Sequence, residues 1–399
     1  MRMPHARQRY IEKLILKRLK GSPVLALQGA RQVGKSFFAR ELLQQKHKTL
    51  KYLTLDKKAE RDYASKNPDT FLAQHLDHGL FVIDEAQKSP ELFDAIKAHV
   101  DENRRPGQIL LLGSTEFSTL LKIKESLTGR MSRVRMYPMS LSETKSFLFE
   151  DWNFDQLASL SSFVDRNNIT RKDLMKYLLR GGMPGIFAIR EDELREQHLR
   201  DWIDLTITRD LYQFPKVRLD SDIAMTVLEG LVRLEVPTAS AIAHHSKIDL
   251  RRIQSHIHAL KTLFVIHTVS PLPGSTGKEL CYLLDTSFVE ILGGSFHRKL
   301  QTWLLNEILI RNSLRTIPRK VHYHRSPKGK IIDFILTENK HHTAIKIFDK
   351  ETVNERDFNL LTSFGKKNKN STLIALSGNN QIHSIEKLEI HVFPWEKLA

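Results

Sequence analysis

Cysteine is almost missing: Cys281 is the one cysteine in 399 residues. An internal disulfide is excluded, and the composition suits a reducing cytosol. Long apolar runs are missing too. None reaches the ~18 residues that a membrane-crossing helix needs. The first residues, Met1 to Arg7, are basic and lack the apolar core of a signal peptide. The expectation is a cytoplasmic protein without a membrane partner. Acidic residues are in deficit, 46 Asp and Glu against 62 Lys and Arg, for a net charge of +16. Such a balance suits DNA or RNA as a partner, or simply a well solvated basic surface. Internal repeats and low-complexity tracts are absent. Hydrophobic residues are 41% and charged residues 27%, an ordinary globular composition. At this length the chain exceeds one ordinary core, so two or three domains are expected.

Residues 29–36 read Gly29-Ala30-Arg31-Gln32-Val33-Gly34-Lys35-Ser36, a complete Gly-x4-Gly-Lys-Ser phosphate loop. It follows the apolar run Val24 to Leu27, which reads as a buried strand, and precedes Phe37 to Leu43, which reads as a helix. Glycines let backbone N–H groups turn inward around an anion, and the helix start adds the positive end of its dipole. Lys35 is expected on the β- and γ-phosphates and Ser36 on Mg²⁺. About 50 residues on, Leu80-Phe81-Val82-Ile83-Asp84-Glu85 is an apolar strand ending in two carboxylates. Functional groups gather at such strand ends in parallel sheets. Asp84 is expected to bind Mg²⁺, and Glu85 to act as general base on the attacking water.

The first 145 residues alternate strand-like and helix-like stretches. Strands are expected at 24–28, 51–55, 80–83, 109–113 and 133–137, and a helix over 7–20. That alternation predicts an α/β, doubly wound parallel sheet of the P-loop NTPase kind. The strand Ile109 to Gly113 runs into Ser114-Thr115. A hydroxyl there would sense a γ-phosphate, or else cap a helix. Arg130, in Glu125-Ser126-Leu127-Thr128-Gly129-Arg130, reads as an arginine finger acting in its own chain or on a neighbour, or as a surface arginine.

Residues 146–215 have a helical pattern, broken by the turn Gly181-Gly182-Met183-Pro184-Gly185. Residues 220–285 give helix, helix, helix and then a β-pair at 264–270 and 279–284, the order of a winged helix. Arg251, Arg252, His256 and Lys261 lie along its third helix, which would enter the major groove of DNA or else pack against protein. In residues 296–399 a helix carries Glu307, and strands at 330–336 and 342–348 carry Asp333 and Lys346. This combination resembles a restriction-endonuclease-like core. Ala344 stands where that core has an acid two residues before its lysine, so the domain is expected to be inactive.

Together these stretches resemble one family: bacterial and archaeal AAA-type ATPases with an AAA-14-like core, whose C-terminal part is the domain of unknown function numbered 4143. The resemblance covers nearly the whole chain. It rests on the phosphate loop, on Val82 to Gln87, Leu112 to Ser114, Ser126 to Arg130, Pro138 to Glu143, Gly181 to Pro184, and Asp333-Phe334. Three residues depart from the pattern: Ser36 and Leu112 where Thr is frequent, and Ala344 where Glu is. The resemblance implies ATP binding and hydrolysis with Mg²⁺. The expected layout is an ATPase domain at 1–145, a helical and winged-helix segment at 146–290, and a nuclease-like α/β domain at 291–399. The expected function is an ATP-driven switch whose C-terminal parts bind nucleic acid or another protein, with a homo-oligomer possible. The alternatives are a nucleic-acid-binding regulator with little turnover, and an interaction scaffold.

Overall fold

The computed structural model describes residues 7–46, 49–76, 79–117, 127, 129–152, 168–213, 219–379, 381–385 and 388–399. Glu125, Ser126 and Thr128 of the arginine-finger stretch lie outside these residues, as does part of the expected helical segment, 153–167 and 214–218.

In the N-terminal part, helix α1 (Ile11–Leu19) leads into β1 (Val24–Gln28). Helix α2 (Lys35–Phe37) is continued by a π-helical stretch, Phe38–Leu43, and followed by β2 (Lys51–Thr54). Helices α3 (Lys58–Lys66) and α4 (Pro68–Ala73) precede β3 (Phe81–Asp84), and α5 (Leu92–Glu102) precedes β4 (Ile109–Gly113) and β5 (Met131–Arg135). The five strands form one sheet in the order β2-β3-β4-β1-β5, and every pairing is parallel. The continuous apolar runs follow from burial on both faces. Val24, Ala26, Phe81, Ile83, Ile109 and Leu111 share a core with Phe71, Phe93 and Ile96. Their neighbours Leu25, Leu27, Val82, Leu110 and Leu112 face Ile11, Ile15, Phe38 and Leu43. The last strand starts two residues earlier than 133–137.

Helices Arg171–Arg180 and Asp192–Leu205 follow, then Ser221–Arg233, Ala239–Ser246 and Leu250–Thr262, and then β6 (Ile266–Pro271) antiparallel to β7 (Leu280–Leu283). The order of elements is the expected one, but the β-pair does not stand free. Ser270 and Pro271 of β6 pair in parallel with β8 (Lys320–Arg325). That joins the hairpin to β9 (Ile331–Glu338), β10 (His341–Ile347), β11 (Ser371–Ser377), β12 (Gln381–Ile385) and β13 (Leu388–Pro394) in one eight-stranded sheet.

Helix Phe296–Leu314 covers one face of this sheet through Leu300, Trp303 and Leu304, and helix Asn359–Lys367 covers the other through Leu361 and Phe364. Leu174, Tyr177 and Leu178 share the first of these cores, so apolar packing crosses the boundary expected at 290. Among the described residues, no helix is long and apolar enough to cross a membrane.

Candidate functional site

The phosphate loop leaves the C-terminal end of β1, and its backbone is bent to a shape few residues adopt. Gly34 has φ +101°, a left-handed conformation that a side chain would strain. At Gly29 a Cβ would sit 2.3 Å from the Met136 carbonyl oxygen, so the neighbouring strand's continuation requires glycine. Lys35 is buried, and its Nζ donates to the Gly29 and Ala30 carbonyls at 2.8 Å each. Burial pushes its pKa down, while Glu85 and Asp84 push it up. The ammonium therefore sits inside the loop, where phosphate oxygens would offer it stronger acceptors.

Ser36 Oγ donates to Asp84 Oδ2 at 2.6 Å, and the Tyr52 hydroxyl from β2 donates to the same oxygen. Two hard oxygen groups thus face each other where a small divalent ion would bind with phosphate. Mg²⁺ favours such a site, made of one or two protein oxygens plus phosphate and water. Glu85 begins a turn with φ +56°, left-handed for a residue with a side chain and a backbone outlier of the kind found at functional sites. Its carboxylate accepts hydrogen bonds from Ser114 Oγ at 2.8 Å and from Gln87. Burial raises the Glu85 pKa, and Lys35 chiefly opposes this. Gln87 also donates to Ser114 at 3.1 Å, so the three side chains form a closed set. Thr115 takes a different role: its hydroxyl is buried without a partner among the described residues, and its carbonyl accepts from Gln28 at 2.8 Å.

Sequence patterns bring Lys35, Ser36, Asp84, Glu85 and Ser114 together as expected neighbours, and they do meet. Arg130 does not join them. It directly precedes β5, whose first residue pairs with Val24 at the start of β1, so it lies at the end of the sheet opposite the loop. There it forms an ion pair with Asp101. In its own chain it is therefore not a finger on the loop.

One contributor was not expected, Arg9, and one expected loop residue, Arg31, has an unexpected partner. Arg9, ahead of α1, donates to the Val33 carbonyl of the loop at 3.1 Å, to the Tyr137 carbonyl at 2.7 Å and to Glu143 at 3.2 Å. Arg31 pairs with Asp210 at 3.5 Å and so ties the loop to the helical segment. Only tertiary placement identifies these pairs, because their partners are 24 to 179 residues away. Beside Gly34 lies a cavity of about 570 Å³, lined by Phe37, Phe38, Met139, Pro184 and Phe187 among others.

The nuclease-like constellation is rearranged. Glu307 is buried but faces away from the sheet residues: it accepts from the Leu141 backbone N–H at 2.9 Å and pairs with Arg311. Gln301 takes the place expected for it, donating to Asp333 at 2.6 Å. Glu307 lies six positions after Gln301 on the helix, which turns it onto another face. Asp333 also accepts from Lys346 at 2.9 Å and the Ile347 N–H at 2.8 Å. On the third helix of the expected winged helix, His256 is buried and accepts from the Asp220 N–H at 2.8 Å, so it faces the protein interior.

Residues 21–145 match the family AAA_14, described as an AAA domain. Residues 171–293 match a domain of unknown function, DUF8612, where the sequence resemblance points to number 4143. The uncharacterized proteins Rv2008c of Mycobacterium tuberculosis and Mb2031c of Mycobacterium bovis are each 26% identical over 283 residues, 69% of this chain and 57% of theirs. The chain thus spans little more than half the length of these curated relatives. The Walker-type ATPase paby2304 of Pyrococcus abyssi is similar at a TM-score of 0.45 and 15% identity, over 73% of this chain and 99% of that one. The RuvB Holliday junction branch migration motor of Thermotoga maritima is similar at 0.29 and 14%, over 67% and 91%. With its parallel sheet, its phosphate loop and the family match, the N-terminal part is a nucleotide-binding, AAA-type P-loop ATPase domain.

Proposed function

We propose that the protein is a Mg²⁺-dependent, ATP-hydrolysing switch whose helical and C-terminal parts bind nucleic acid or a protein. The reading is carried by one observation: Lys35, Ser36, Asp84, Glu85 and Ser114 converge at the C-terminal strand ends around a single phosphate loop. The backbone N–H groups of Gly29, Ala30, Arg31, Gln32, Val33 and Gly34 cradle the phosphates. Lys35 exchanges its two carbonyl partners for β- and γ-phosphate oxygens.

Ser36 and Asp84 hold Mg²⁺, which when bound neutralises charge developing on the leaving phosphates. Glu85, ionised, takes the proton of a water whose oxygen bonds to the γ-phosphorus as the bridging P–O bond to the β-phosphate breaks. Ser114 reports the γ-phosphate through the hydrogen bond it now gives Glu85. The cavity beside Gly34 offers Phe37, Phe38, Pro184 and Phe187 to the flat face of a base, and Arg7, Lys145, Lys176, Arg180 and Arg190, which also line it, to anionic groups. Arg130, at the far end of the sheet, serves as a finger only on a neighbouring copy.

The output path is short. Glu116, two residues after Ser114, donates its backbone N–H to the Thr262 carbonyl at the end of helix Leu250–Thr262 at 2.9 Å. Arg135, at the end of β5, stacks over Phe264 at 4.5 Å and bonds His267 at 3.1 Å. A change at the γ-phosphate therefore pulls on the segment read as a winged helix. The nuclease-like domain acts as a binding or packing module without cleavage.

Calorimetry with Mg-ATP on wild type and Lys35→Ala tests the site: equal affinity in both would reject it. The net charge of +16 favours, as the second reading, a nucleic-acid-binding regulator with little turnover. A turnover rate near zero with ATP bound would select it.

A further inference from the structure

We propose that single-stranded nucleic acid binds in a groove of about 870 Å³ between the ATPase domain and the end of helix Phe296–Leu314. The groove runs along α1 and across the N-terminal ends of β1 and β5, away from the phosphate loop. Its walls carry Lys13, Lys17 and Arg18 from α1, and Arg104, Arg130 and Arg315 from the opposite sides. Among the described residues, no Asp or Glu lines it. The α1 cations are exposed. Lys13 and Lys17 are four residues apart and so lie on one helix face. Two of the six are partly neutralised, Arg130 by Asp101 and Arg315 by Asp151 and Glu338; Arg104 keeps its charge and donates to the Gly129 carbonyl at 3.4 Å.

Charge alone would suit any polyanion, and the aromatic residues narrow the choice. Phe149 is 36% exposed and is held edge-on by Tyr10, ring centroids 5.2 Å apart. Leu148 beside it is 76% exposed. A cationic track next to an open aromatic face fits unstacked bases, which a duplex does not offer. Arg9 lines both this groove and the cavity beside Gly34, so a strand in the groove touches the residue that grips the loop at Val33. The inference deepens the nucleic-acid part of the proposed function and is independent of its ATP chemistry.

The test is fluorescence anisotropy of a labelled oligo-dT and an oligo-U with the 399-residue chain, without nucleotide, over a range of salt. The triple reversal Lys13→Glu, Lys17→Glu, Arg18→Glu changes only exposed positions. It should weaken binding at least about tenfold and lower the salt slope by roughly 2, as three lost phosphate contacts imply for single strands. Phe149→Ala, which leaves charge intact, should weaken binding at unchanged salt slope. No binding by wild type at about 50 mM salt, or an undiminished triple variant, overturns the inference. Competition by poly-glutamate as strong as by unlabelled oligonucleotide also overturns it, and would give the groove to an acidic protein segment. Because ATP is absent throughout, failure here leaves the Lys35→Ala test of the ATP site untouched.

Discussion

Ser36 donates a 2.6 Å hydrogen bond to Asp84 although β4 lies between the strands that precede them in the sheet. The parallel order β3-β4-β1 places both strand ends on one edge, and the loop bridges the intervening strand. Asp84→Asn removes the negative oxygen while keeping the shape. The Mg²⁺ concentration for half-maximal ATP binding should rise at least about tenfold, since magnesium sites rely on one or two carboxylates. Tyr52→Phe, which leaves Ser36 as a donor, should raise it less. An unchanged Mg²⁺ requirement in Asp84→Asn would remove that residue from the metal site.

Burial lifts the pKa of Glu85, and the sign of the consequence differs for stability and for rate. The folded chain keeps this proton to higher pH than the unfolded chain does. The group's contribution is therefore fully present at pH below the ordinary glutamate value of 4.5 and is lost as pH rises through the raised value. Glu307 and Asp285, also raised by burial, act in the same direction. Turnover runs the other way, because the base works only when ionised: the rate should climb as pH passes the raised value. Melting temperatures of wild type and Glu85→Gln across acid pH check the first statement, since the variant should lose part of the slope. Identical slopes would show that Glu85 titrates as in the unfolded chain.

Glu307 joins two parts of the molecule, reaching the Leu141 N–H from the helix that covers the C-terminal sheet. Leu141 begins a short helix capped by Ser140 and Glu143, and Glu143 in turn holds Arg9 and thereby the loop. Glu307→Ala leaves Arg311 buried and unpaired. Breaking a buried pair from one side costs about 3–5 kcal/mol. Removing both partners together, as Glu307→Leu with Arg311→Met, should cost clearly less. Denaturant unfolding of the two variants decides it, and equal losses would mean that the pair is not the source of the cost.

Asp333 is buried and saturated by Gln301, Lys346 and the Ile347 N–H. Wild type should therefore cut neither single- nor double-stranded DNA in Mg²⁺ or Mn²⁺. Ala344→Glu should not restore cleavage either, because the helical acid is absent and Gln301 stands there. Cleavage that vanishes in Asp333→Ala would contradict this.

The ATPase sheet was legible because its signals are local: β1 and β4 fall at 24–28 and 109–113 as expected, each a continuous apolar run ending in a motif. The site was legible as far as its motifs reach. Arg9 and Tyr52 escaped because nothing near them in sequence marks their partners, and Gln87, inside a recognised stretch, because its tie to Ser114 spans 27 residues. Glu307 misled because a helical acid near an Asp and a Lys satisfies the pattern, whereas helix phase alone decides which residue faces the sheet. The pairing of β6 with β8 was likewise hidden, since it joins Ser270 to His322 across 52 residues of chain. Arg130 has the local sequence of a finger, yet its position before β5 puts it at the wrong end for its own loop.

The most direct measurement is steady-state phosphate release from Mg-ATP by Glu85→Gln beside wild type, with ATP binding to both confirmed by thermal shift. At about 100 times Kd, ATP should stabilise each by roughly 2.7 kcal/mol. With binding equal, loss of the base should slow release by about 10²–10⁴-fold. Release at the wild-type rate in Glu85→Gln would contradict the assignment of Glu85, and absence of release from wild type with ATP bound would contradict the hydrolysing switch itself.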